Sequence, residues 1–133
     1  MAISNHERVG RALNLLRQGL YPFVVREMQA FHGENWLNVA ADTLPQSSPK
    51  FKSPEQILEQ DVAALLTLMW EQWNTVFKQT LGQSERTLVS ELRNTRNAWA
   101  HTCTFSFDDA YRALDSVARL LSAIAAPQAA EVE

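Results

Sequence analysis

The stretch Arg93-Asn94-Thr95-Arg96-Asn97-Ala98-Trp99-Ala100-His101 is where this sequence could do chemistry. It gathers permanent cations, carboxamides and an imidazole, and no cysteine, carboxylate cluster or glycine loop competes with it for that role. Histidine titrates near pH ~6.5 when unperturbed, so His101 could exchange a proton near neutrality, while Arg96 keeps its charge. At about 100° per residue, Asn97 and His101 share one helix face to within roughly 40°, whereas Arg96 and His101 diverge by about 140°. The pair converges only at a helix end or across two copies of the chain. A structural explanation also covers the same residues, because the helix macrodipole favours histidine and arginine near a C-terminus. Spacing alone leaves both explanations standing.

Other candidate sites are thinner. His6, His32 and His101 are scattered, and none has a second ligand at helical or loop spacing, so neither a metal nor another cofactor is implied. Cys103 lies two residues from His101, but residues so close near a helix end align poorly for proton transfer, and no orienting carboxylate is evident. A lone cysteine also forms no internal disulfide. Trp70, Trp73, Phe77 and Trp99 could stack bases, yet three of them fall on one apolar helical stripe, which favours packing.

With 133 residues, the chain is expected to form one domain over 1–126, followed by a linker-like tail over 127–133. No apolar run approaches the ~18 residues of a membrane span, and no signal-peptide pattern opens the chain, so a soluble cytoplasmic protein is expected. A net charge of -3 argues against a whole-surface grip on nucleic acid. Any such contact must be local. Arg86, Arg93 and Arg96 are close in sequence, but Glu85 and Glu91 are interleaved with them.

The elements that must position the motif are helices. Ser4-Asn5-His6-Glu7 reads as a capping box opening a helix to about Phe31, with a kink or break near Gly19 to Pro22. Trp36 to Leu44 suggests a short helix, and Pro45 to Pro54 a surface loop with Phe51 turned inward. Ser53-Pro54 opens a long apolar helix that Asp61 could recap and Gly82 ends. Ser84 is expected to cap the helix carrying Leu88, Val89, Leu92 and Trp99, which ends near His101. Ser106-Phe107-Asp108-Asp109 opens a last helix, with Phe107, Ala110, Tyr111, Leu114, Val117 and Leu121 at core spacing. The fold class is all-α, a bundle of about four main helices plus a short one.

Arg96-Asn97-Ala98-Trp99-Ala100-His101 resembles the arginine, four-to-six residues, histidine motif of the HEPN superfamily, whose position after the arginine is typically asparagine, aspartate or histidine. Met69-Trp70-Glu71-Gln72-Trp73-Asn74, Ser90-Glu91-Leu92-Arg93 and Asp108-Asp109-Ala110-Tyr111-Arg112-Ala113-Leu114-Asp115 are similar to the Swt-like HEPN branch. His6-Glu7-Arg8-Val9-Gly10 and Leu20-Tyr21-Pro22-Phe23 extend the likeness over nearly the whole chain.

That branch occurs in a nuclear RNA-surveillance endonuclease and as a module on bacterial ATPases and helicases, some associated with phage defence. The resemblance implies a homodimer whose motif-bearing helices face each other, and metal-independent RNA cleavage. By it, His101 assists proton transfer at the 2′-hydroxyl or leaving oxygen, Arg96 stabilises transition-state charge and Asn97 orients the groups; Arg93, close to them in sequence, is the candidate substrate contact. HEPN toxins regulated by nucleotide transfer carry a tyrosine two residues after the histidine; this chain has Cys103 there, so that regulation is not implied. The resemblance equally admits a non-catalytic module that dimerises or binds RNA or protein within a larger polypeptide.

Overall fold

A computed structural model describes residues 3–44, 52–101 and 104–132 of the chain. Among them there is no strand, and no helix is long and apolar enough to cross a membrane. The fold is an all-α bundle. Helix α1 spans Asn5–His32, α2 Trp36–Asp42, α3 Pro54–Gln60, α4 Val62–Glu71, α5 Gln83–Ala100 and α6 Phe107–Ala123. Single 3-10 turns at Gly33–Asn35, Phe77–Gln79 and Pro127–Glu131 join or end them. Residues 45–51, including the expected inward Phe51, and residues 102 and 103, including Cys103, lie outside the described residues.

Local sequence explains most helix starts. Ser4 Oγ accepts from the Glu7 N–H at 3.1 Å, opening α1, although the expected return bond from Glu7 is not formed. Ser53 and Gln56 complete a capping box for α3, and Ser106 and Asp109 do the same for α6. The cap of α5 differs from expectation. Gly82, not Ser84, takes the N-cap position, and its N–H donates to Glu85 Oε1 at 2.8 Å. Helix α1 runs through Pro22 unbroken for 28 residues, so the loss of one hydrogen bond to the Gln18 carbonyl does not end it.

The apolar helix expected from Ser53 to Gly82 is divided. Asp61 sits in an extended conformation at φ -126° and ψ 109°, ending α3, and its carboxylate accepts from the Ala63 N–H at 2.9 Å to restart the chain as α4. After Glu71 the chain leaves the α-helix, yet Trp73, Val76 and Phe77 remain buried. Their burial needs the turns, because these bring Phe77 under α1, 6.0 Å from Phe23 between ring centroids.

Helix α1 packs along α6 and against α4, while α5 lies against both α4 and α6. Leu16, Leu20 and Met28 of α1 meet Leu65, Leu66 and Met69 of α4, Leu92 of α5 and Leu120 and Leu121 of α6 in one core with no solvent exposure. Burying each such side chain stabilises the fold by about 1.5–3 kcal/mol. Gly19 leaves room at the α1–α6 seam, where a Cβ would lie 2.4 Å from Leu121 Cδ2 and 3.1 Å from Ala126 Cβ.

Two readings of the periodicity are corrected here. Phe107 and Tyr111 share helical spacing with the α6 core residues but are 70% and 72% exposed, because no element among the described residues lies across from them. The stretch read as a linker contains the 3-10 turn Pro127–Glu131, which lies along α1 and α6, and Ala126, Ala129 and Val132 pack against the core.

Candidate functional site: the end of helix α5

The motif occupies the last turn and a half of α5, and His101 is its C-cap residue, with φ -92° and ψ 14°. The helix closes with the His101 N–H donating to the Asn97 carbonyl at 3.1 Å. Asn97 and His101 are exposed, as are Thr87 and Asn94 one and more turns earlier on that helix. This strip is polar and carries small side chains.

Arg96 points elsewhere. Its guanidinium lies half-buried against the start of α4, with Nη2 3.7 Å from Asp61 Oδ1. At that separation and with both groups partly solvated, the pair contributes at most about 1 kcal/mol. Arg93 and Arg86 lie on the same side of α5, their guanidinium carbons 5.9 and 4.5 Å from the centre of the Trp70 ring. Trp70, packed at the edge of the core, thereby also holds two cations by cation–π attraction. The structure therefore places Arg93 and Arg96 along the α4 side of the helix, and Asn97 and His101 on its exposed strip.

Four contacts tie the motif and the following Phe105 to the first turn of α1. The Trp99 indole stacks on the His6 imidazole, with centroids 5.1 Å apart and planes at 9°. Trp99 Nε1 donates to the His6 carbonyl at 3.0 Å, and His6 Nε2 lies 3.0 Å from the Trp99 carbonyl. Since a carbonyl only accepts, that ring nitrogen carries the hydrogen. Asn5 Nδ2 donates to the Phe105 carbonyl at 3.1 Å. The chain is thus held to α1 at Trp99, before His101, and at Phe105, after it.

A scan against family models matches residues 11–125 to Swt1-like HEPN. The chain belongs to the Swt1-like HEPN family. Comparisons with curated proteins and with solved structures found no match.

In this HEPN domain, sequence reasoning missed the residues that position the motif. Asn5, His6 and Asp61 are far from it in sequence, and Asp61 was legible only as a cap. One signal was available: His6 and Gly10 both fall in the stretch resembling the family, and both meet Trp99. Arg112 was also missed. It pairs with Glu91 beside a shallow cleft of about 330 Å3 between α5 and α6, which Asn94, Ala98 and Phe105 also line.

Proposed function

We propose that this chain is a dimeric, metal-independent RNA endonuclease in which two copies of the α5 end form one composite site. The observation that carries the reading is the intact arginine-to-histidine motif on the α5 terminus of a Swt1-like HEPN domain, with Asn97 and His101 on an exposed polar strip. The small side chains of that strip allow a second α5 to approach closely.

The reaction is an internal transfer. The 2′-oxygen forms a bond to the adjacent phosphorus as the bond from phosphorus to the 5′-oxygen breaks. His101 of one copy takes the 2′ proton, and its counterpart across the dimer gives a proton to the departing 5′-oxygen. The products carry a 2′,3′-cyclic phosphate and a 5′-hydroxyl, so neither water nor redox partner is consumed. Arg96 stabilises the phosphorane-like charge, and its weak attachment to Asp61 lets it turn toward phosphate. Asn97 orients the reacting groups and Arg93 holds a neighbouring phosphate. On this reading the domain works in the cytoplasm and acts with an ATPase or helicase partner, as in phage defence.

The second reading is a non-catalytic dimerisation or binding module. The net charge of -3 and the turning of Arg96 toward Asp61 favour it. Incubation of the pure chain with single-stranded RNA in chelator separates the two. The nuclease reading expects cyclic-phosphate ends from the wild type and their loss in His101→Ala and Arg96→Ala. Equal cleavage by all three proteins, or none by any, leaves the binding module.

A further inference from the structure

Between α1 and α6 runs an open groove of about 630 Å3, away from the polar strip of α5. Ala12, Leu15, Ala110 and Leu114 line it with aliphatic surface, and Phe107 and Tyr111 stand on its α6 wall at 70% and 72% exposure. Two large aromatics exposed one turn apart beside an apolar groove mark a contact surface. On the α1 wall stand Arg8 and Arg11, both exposed, and neither guanidinium has an ion-pair or hydrogen-bonding partner among the described residues.

The chain itself shows what this seam accepts. From the level of Gly19, the segment Ala126 to Val132 runs back between α1 and α6, seating Ala126, Ala129 and Val132 at every third position. Val132 and Glu131 of this segment line one end of the open stretch. The remaining length, from Asn5 to Leu15, is about 15 Å along the helix, enough for roughly three helical turns.

We propose that this open stretch docks an amphipathic helical segment of a protein partner. The segment carries large apolar residues at i, i+3 or i+4, and i+7, and two carboxylates one turn apart that meet Arg8 and Arg11. Aliphatic lining rewards apolar side chains rather than bases. Glu131 at the groove's end places a negative charge against a phosphate backbone, which disfavours RNA here.

The test uses the full chain and a labelled 14-residue helical peptide with leucines at i, i+3, i+4 and i+7 and glutamates on the flank facing Arg8 and Arg11. Fluorescence anisotropy is read for this peptide, for its scrambled form, for a version with lysine replacing glutamate, and for a single-stranded RNA of similar length. The expected result is saturable binding of the acidic amphipathic peptide, at least about tenfold tighter than the scrambled or lysine forms. Tyr111→Ala should weaken it about tenfold, and the double variant Arg8→Glu with Arg11→Glu should switch preference to the lysine peptide. All three side chains are exposed, so unchanged circular dichroism keeps folding out of the comparison. Equal binding of the scrambled peptide, no binding, or loss of RNA binding rather than peptide binding in Tyr111→Ala would overturn the proposal. So would light scattering showing that Tyr111→Ala abolishes self-association, since the groove would then be filled by a second copy.

Discussion

Trp99 and His6 hold each other from positions far apart in the chain: their rings stack at 5.1 Å, and each residue hydrogen-bonds the other's carbonyl at 3.0 Å. This is a side-chain clasp between the end of α5 and the start of α1. It fixes the backbone from which His101 projects, without using His101 itself.

Replacing Trp99 by Phe keeps an aromatic ring but removes the donor to the His6 carbonyl. The loss of one partly buried hydrogen bond should destabilise the domain by about 1 kcal/mol. Urea denaturation measures it, and an unchanged midpoint would show that the indole N–H bond to His6 contributes nothing to stability.

Gly10 leaves room for that indole. A Cβ there would lie 2.9 Å from Trp99 Nε1 and 3.0 Å from Cζ2, atoms of a rigid ring. Gly10→Ala in the wild type should therefore lose the gain of about 1 kcal/mol that alanine brings to a helix interior, and should recover it in a Trp99→Ala background. Additive effects of the two substitutions would contradict this account.

Asp61 caps α4 and faces Arg96. Asp61→Ala should cost about 1 kcal/mol through the lost cap, whereas Asp61→Asn retains an acceptor and should cost only a few tenths. If Arg96 serves phosphate chemistry, Asp61→Asn leaves RNA cleavage equal or faster. A tenfold or greater loss of rate at unchanged stability would instead make Asp61 part of the reaction.

Tyr21 gives the fold a pH dependence at the alkaline end. Burial raises its phenol above the ordinary value of 10.0, and the Glu55 and Glu59 carboxylates, with a hydrogen bond to Glu55, push the same way. The folded state holds this proton more tightly than the unfolded chain. Its contribution is therefore complete below the unfolded pKa and is lost as pH rises through the folded one. Between about pH 8 and about pH 11, the denaturation midpoint of the wild type should fall further than that of Tyr21→Phe. Parallel midpoints would show that the phenol is not coupled to folding.

Helix positions and most caps were written in the sequence because they depend on neighbours three or four residues away. Ser53, Ser106 and Asp109 name their helix starts by that logic, and the spacing around Leu16, Leu20, Leu65 and Leu92 names the core faces. The same logic misled at Trp73 and Phe77, where apolar spacing persists after the helix has ended, because burial rewards apolar residues in any backbone conformation.

What the sequence by itself determined was an all-α bundle with the Arg96–His101 motif at the end of a helix, since periodicity and capping are local properties, while its likeness to the HEPN family rested on the motif's own residues. Only the tertiary structure decided that Arg96 faces Asp61 while Asn97 and His101 lie on an exposed strip, and that His6 anchors Trp99. It also decided that Phe107 and Tyr111 face solvent and that Pro127–Val132 packs between α1 and α6. Each of these depends on which element lies across from a given face, and helical spacing reports that a face exists without reporting what covers it.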